Sequence, residues 1–386
     1  MKNKIFISFV SLIFFFFVGD AQSTYFPDTA WQTKKPDELK MDKLLLDSAV
    51  NFAIANENNY DKDLRVAILK SYANEPDFKI VGPVKERGGP AGLIIKNGYI
   101  VAQWGDIRRV DMTFSVTKSF LSTTAGLAID EGVIKNVNDK VSRYVWDDTY
   151  AGAHNSKITW DHLLTQSSDW SGTLFDLHDW ADRPPKEGGV DDWKNRKLNE
   201  PGTVFKYNDV RVNLLAYSLL QVWRKPLPMV LKEKIMDPIG ASTTWRWFGY
   251  DNSFVNIDGL MMQSVSGGGH HGGGMFISAI DQARFGLLFL RNGKWKTQQL
   301  ISEKWVRAVH QSSTANKDYG YMWWINSSKR WKDVSSELYY AAGAGGNYIV
   351  VDNEHDLVVV ARWIDDSKMG DFMKLIEQSV SNKSSH

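Results

Sequence analysis

Within the stretch DMTFSVTKSF, Ser115 stands three residues before Lys118. On a helix, side chains three apart share a face. A helix is expected from Ser115 to Asp130, with Phe120, Leu121, Leu127 and Ala128 as its apolar side and Gly132 as its stop. A serine hydroxyl is a weak nucleophile at neutral pH and becomes effective only with a base within hydrogen-bond reach. Lys118 can be that base if burial or another cation lowers its pKa, because desolvation disfavours an ammonium. The start of a helix adds free backbone N–H groups and a positive dipole end, which suit a developing alkoxide or oxyanion. Taken alone, the same four letters also describe a capping serine followed by a solvated lysine. Two competing hydrolase signatures, a G-x-S-x-G elbow and an H-E-x-x-H helix, do not occur in the sequence.

A second chemically suggestive run is SGGGHHGGGM, Ser266 to Met275. Its glycines imply sharp turns or a backbone passing close to something. No G-K-[ST] follows and the Rossmann spacing is absent, so no nucleotide cofactor is expected. His270 and His271 are adjacent, which points their side chains apart and suits no single metal site. His271 is a candidate for lining a substrate cleft. Trp170, one of several Trp between 136 and 271, is either core or the wall of a pocket for an apolar acyl chain or a sugar ring.

These groups need a scaffold, and the chain has the means to build one. It has 386 residues, is 43% hydrophobic, and carries 46 basic against 45 acidic residues, so no net field recruits nucleic acid or anionic lipid. There is no Cys, hence no disulfide, thiolate nucleophile or thiolate metal site, and 16 Trp, 19 Phe and 14 Tyr supply the core material instead. The first residues, Lys2 and Lys4, an apolar run from Ile5 to Val18 and small residues to Ala21, read as a signal peptide over 1–21. The run is too short to span a bilayer. A periplasmic or secreted protein, 22–386, with no stable membrane insertion is therefore expected.

Apolar residues at helical spacing predict a helix over Met41 to Ala55 and another through Phe372, Leu375, Ile376 and Val380. AGLIIKNGYIVAQWG is a hairpin turning at Asn97-Gly98, and NYIVVDNEHDLVVVARWI is a second. Between them, 136–271 reads as a mostly helical insertion with few strand signals. The fold expected is α+β, an α/β/α sandwich: a central antiparallel sheet from both chain ends (about 40–135 and 272–386), flanked by helices.

Five blocks occur in an order that resembles the serine β-lactamase-related hydrolases, over roughly Gly92 to Trp363. TFSVTKSFLSTTAGLAIDEGVIKNVNDKVSRYV is similar to that family's nucleophile helix. ITWDHLLTQSSDW and PGTVFKYNDVRVNLLAYSLL resemble its next two segments, HHGGGMFISAIDQARFGLLFLRNG a later helix, and GAGGNYIVVDNEHDLVVVARW its final hairpin. The superfamily includes class C β-lactamases, D-alanyl-D-alanine carboxypeptidases, esterases and 6-aminohexanoate-dimer hydrolases, and the resemblance implies a β-lactamase/transpeptidase-like fold. It also implies Ser115 as nucleophile, Lys118 as its activating partner and Tyr207 as the group that passes the proton toward the leaving group. The oxyanion hole would combine the Ser115 N–H with one near Gly345 or Gly346.

Two departures narrow the expectation. Asp209 stands at the third position of the Tyr-x-Asn motif, and Gly343-Ala344-Gly345 replaces the Lys-Thr-Gly strand motif. A strand without a cation, beside an anion, should hold carboxylate-ended substrates poorly. A secreted esterase or amidase acting on a small molecule is thus expected ahead of a β-lactamase or carboxypeptidase. The rival is a non-catalytic sensor on the same fold, in which Ser115 is at most an acylation trap. An Asp209 carboxylate beside Lys118 would favour the ammonium, leaving either Lys118 or Tyr207 as the base.

Overall fold

The computed structural model describes residues 24–381, so the expected signal peptide lies outside the described residues. Among those described, no helix is long and apolar enough to cross a membrane.

Asp42 caps the first long helix, α1 (Lys43–Ala55), by accepting from the N–H groups of Leu44 and Leu45, and Asp63 caps α2 (Leu64–Tyr72). The expected hairpin forms between β1 (Ala91–Lys96) and β2 (Tyr99–Trp104), with Asn97 in the left-handed conformation at φ 53°. Then come β3 (Asp111–Met112), α3 (Thr117–Asp130) and α4 (Asp209–Trp223). The hairpin β4 (Arg246–Ile257) and β5 (Leu260–Val265) leads to β6 (Gly274–Ile277) and α5 (Ala279–Leu290). The chain closes with β7 (Trp324–Ile325), β8 (Tyr339–Gly343), β9 (Asn347–Asp352), β10 (Leu357–Arg362) and α6 (Met369–Ser381).

The main sheet has six strands in the order β7-β8-β9-β10-β1-β2, every pair antiparallel. Its central strands are continuous apolar runs because both faces are covered. Successive side chains alternate: Leu93 and Ile95 enter a core shared with Phe120 of α3 and Phe285 of α5. Ile94 enters the opposite core with Leu46 of α1 and Phe372 of α6. Each fully buried Leu, Ile or Val adds ~1.5–3 kcal/mol. This is the α/β/α sandwich expected, with β1 paired to β10 across the chain's length, Ala91 opposite Arg362.

The region 136–271 departs from its description as mostly helical. Besides α4 it carries the long β4–β5 hairpin, which joins β3 and β6 in a second sheet of order β3-β6-β4-β5. A register irregularity between Gly249 and Phe254 absorbs the polar Asp251-Asn252-Ser253. Those three residues break the alternation by which a strand is recognised.

Candidate active site

Ser115 sits on a 3-10 turn, Phe114–Val116, immediately ahead of α3. Phe114 adopts a left-handed backbone, φ 49°, which is costly for a bulky residue. Its ring packs edge-on against Tyr60 and Trp363. Thr117 Oγ1 donates to Phe114 O at 2.5 Å and accepts from the Met275 N–H at 3.0 Å. The turn is fixed from both sides and leaves Ser115 half-buried at the mouth of the helix.

Lys118 Nζ donates to Ser115 Oγ at 2.8 Å and to Asp209 Oδ1 at 2.6 Å. Asp209 opens α4, whose cap is Asn208, and Asp182 accepts from the N–H groups of Asp209 and Val210. Arg183 pairs with Asp182 at 2.5 Å and with Asp209 Oδ2 at 2.8 Å. Burial works against the Asp209 carboxylate, yet Lys118, Arg183 and His270 hold its pKa well below the ordinary carboxylate range. For Lys118, burial pulls the pKa down, and the Asp209 carboxylate outweighs it and holds the ammonium above its ordinary value. At rest the pair is ammonium and carboxylate.

The glycine run finds its reason here. A Cβ on Gly268 would lie 1.8 Å from Asp209 Oδ1 and 2.5 Å from Lys118 Nζ, so bare backbone closes the ion pair off. On the other side, the end of β8 abuts the nucleophile turn: a Cβ on Gly343 would lie 2.2 Å from Thr113 O and 3.1 Å from the Ser115 nitrogen.

A cavity of about 240 Å³ opens over Ser115, lined among others by Tyr207, Arg183, Trp324, Arg330 and the strand end Ala342 to Ala344. Lys118 Nζ lies 4.7 Å from the centroid of the Tyr207 ring and the Arg183 guanidinium 5.3 Å from it. Trp324 stacks on the same ring at 5.9 Å. The structure thus gathers Ser115, Lys118, Tyr207 and Asp209 into one site.

Four other candidates lie elsewhere. Gly345 and Gly346 follow β8 in the turn to β9, against the Trp363 ring and Ile364 O; the strand residues facing Ser115 are Ala342, Gly343 and Ala344. Trp170 is core, its indole N–H donating to Thr149 O at 2.9 Å. The His271 ring packs on Phe78 at 4.8 Å, and its Nδ1–H donates to Lys79 O at 2.8 Å. Burial, then His270, push its pKa down to about 4. Its neighbour His270 is the one that approaches the site. The cavity also holds two cations, Arg183 and Arg330, although the strand itself has none. Neither arginine carries a motif signal, and both arrive from loops. His270, Glu75 and Asp182 form the trio nearest the site with metal-ligating atoms. Those atoms are turned on one another: His270 Nε2 bonds Glu75 Oε2 at 2.6 Å, and Asp182 is committed to Arg183 and two N–H groups.

The sequence model of the beta-lactamase family matches residues 102–369, a span that contains Ser115, Lys118, Tyr207 and Asp209. The chain belongs to the beta-lactamase family. This is a family of hydrolases that includes esterases, carboxypeptidases and β-lactamases. Among solved structures, the hydrolase EstCE1, described as having promiscuous acyltransferase activity, aligns at TM-score 0.56 and 16% identity over 87% of this chain and 99% of its own. A β-lactamase/D-alanine carboxypeptidase from Yersinia pestis aligns at 0.52 and 19% over 81% and 97%. A Bacillus anthracis protein provisionally assigned as a 6-aminohexanoate-dimer hydrolase aligns at 0.54 and 15% over 75% and 78%. At these identities the likeness speaks for the fold, which is β-lactamase/transpeptidase-like as expected. No curated protein matches the chain.

Proposed function

We propose that this member of the beta-lactamase family is a serine hydrolase that cleaves an ester or amide bond of a small molecule through an acyl-Ser115 intermediate. The observation that carries the reading is the 2.8 Å hydrogen bond from buried Lys118 to half-buried Ser115 at the floor of a cavity. A trapped, solvated lysine would not be fixed this way.

The active fraction is the one in which Lys118 has released a proton to solvent. Neutral Lys118 then takes the Ser115 proton as Oγ attacks the substrate carbonyl carbon. The oxyanion forms between the Ser115 N–H and an N–H of the Gly343–Ala344 strand end, where preorganised dipoles stabilise it. Lys118 returns the proton, through the Tyr207 hydroxyl, to the leaving oxygen or nitrogen as the acyl bond to it breaks. Water repeats the sequence on the acyl-enzyme and frees Ser115. The cavity holds a small acyl group; Arg183 in it is already balanced by two aspartates, whereas Arg330, lying over the Trp324 ring, is the cation that would meet an anionic end of a substrate. The export of the protein to the periplasm or medium rests on the 1–21 sequence alone and is part of the proposal.

The test is hydrolysis of a short activated ester by the native protein and by Ser115→Ala, with intact mass recorded during turnover. Sustained activity with a transient acyl mass, both lost in the variant, is the expected result. One acylation without turnover would make the protein a trap, and activity unaffected by the substitution would remove Ser115 as nucleophile.

A further inference from the structure

His270 occupies an unusual place behind the site. Its side chain is fully buried, with Nε2 at 2.6 Å from Glu75 Oε2 and Nδ1 at 3.8 Å from Asp209 Oδ2. Nδ1 has no hydrogen-bond partner, while Asp209 Oδ2 accepts no hydrogen bond and is met by the Arg183 guanidinium as an ion pair at 2.8 Å. A fully buried ring nitrogen without a partner, this close to a carboxylate oxygen with room to accept, is rare in folded proteins. The ring is clamped by Tyr72, 4.0 Å away between centroids, and by Phe78 edge-on at 5.5 Å, so it is aimed rather than free. Closing the gap by about 1 Å gives a hydrogen bond. The result is a line of groups from the partly buried Glu75 through His270, Asp209 and Lys118 to Ser115, open at the one step from His270 to Asp209.

We infer that the Glu75–His270 pair is a positioning unit for the Ser115–Lys118 step, competing with Lys118 for the Asp209 carboxylate. The inference rests on the reading of Ser115 as nucleophile. One carboxylate shared between several donors holds each of them less tightly. With Nε2–H given to Glu75, an Nδ1–H directed at Oδ2 belongs to the imidazolium; in that form it weakens the hold of Oδ1 on the Lys118 proton, and more of the protein carries neutral Lys118 at a given pH. Glu75 has no contact with Lys118 or Ser115 and acts only by orienting the imidazole, as outer carboxylates do for histidines that bind metals. The charged and titratable groups facing His270 are Glu75 beyond α2, Tyr72 on α2, Asp182 and Arg183 from the loop before α4, Asp209 on α4, and its neighbour His271.

The test is kcat and KM against pH for the native protein, His270→Gln, Glu75→Gln and the double variant, on the activated ester that reports acylation of Ser115. Thermal unfolding is followed in parallel. The expected result is a fall of about tenfold in kcat for His270→Gln, the order of an indirect contribution to proton transfer. KM changes little and the rising limb of kcat/KM moves to higher pH. Glu75→Gln gives a smaller shift in the same direction and adds nothing in the double variant, since it acts through His270. Glu75 reaches solvent where His270 does not, so its variant remains informative if His270→Gln folds poorly. Superimposable pH limbs, with losses that track unfolding, would overturn the inference while leaving the acyl-serine reading intact. Acylation that survives Ser115→Ala would overturn both.

Discussion

Lys118 and Asp209 meet at 2.6 Å with side chains only 2% and 1% exposed, at the position where the Tyr-x-Asn motif that this segment resembles carries a neutral Asn. The carboxylate holds the lysine as an ammonium, so the base proposed for catalysis is scarce at neutral pH. Asp209→Asn removes the counter-charge, and burial then dominates and lowers the Lys118 pKa. The rising limb of kcat/KM is expected to move to lower pH. Stability should fall by about 3 kcal/mol, because Arg183 and Lys118 lose a buried partner. A pH–rate profile and a urea titration of the same variant check both. A limb that stays put would mean that Lys118 is not the base and would shift that role to Tyr207.

Gly343 is the position where β8 touches the nucleophile turn. Gly343→Ala forces a methyl to within 2.2 Å of Thr113 O, and the strand end must back away from Ser115. The expected loss is about 100-fold in kcat, the scale of losing one oxyanion donor, with a stability cost of roughly 1–3 kcal/mol from overpacking. Gly345→Ala is the contrast. It is strained at φ 77° and pressed on Trp363, so it should lower stability while the folded fraction keeps its kcat. Steady-state kinetics normalised by active-site titration separates the two.

Trp170 belongs to the core and not to the cavity. Trp170→Phe is expected to cost about 1–2 kcal/mol through lost packing and the lost bond to Thr149 O. KM for any ester should stay within twofold of the native value. A KM that rises tenfold would return Trp170 to the substrate site.

His271 gives the protein a sensitivity to acid. Its folded pKa of about 4 lies below the ordinary 6.5, so between those values the unfolded chain binds a proton that the folded protein refuses. Its contribution to stability is whole above pH 6.5 and is lost as pH falls toward 4, by up to about 3 kcal/mol. Urea unfolding at pH 7.5 and pH 5 measures the slope. His271→Gln should flatten it.

What could be read from the sequence was what local rules encode. Asn97-Gly98 announced its hairpin because few other pairs adopt that turn, and the valine runs of β9 and β10 announced strands buried on both faces. The spacing of Ser115 and Lys118 placed one side of the site, and the block around Tyr207 the other. Long-range geometry stayed hidden. Arg183 and Arg330 enter the cavity from loops that carry no motif, and β4–β5 lost its alternation at Asp251. Of two adjacent histidines, only the backbone of the glycine run decides which one turns toward Asp209.

The pairing of β1 with β10 has a consequence for the order of events during synthesis. The segment carrying Ser115 emerges early, but its sheet is completed only by strands near the other end, and Gly343, which walls the nucleophile turn, arrives with them. Contacts of such long sequence separation form slowly and late. A nascent chain is therefore chemically silent until it has been made past Arg362. A product truncated before that point is an aggregation hazard and not a weak catalyst.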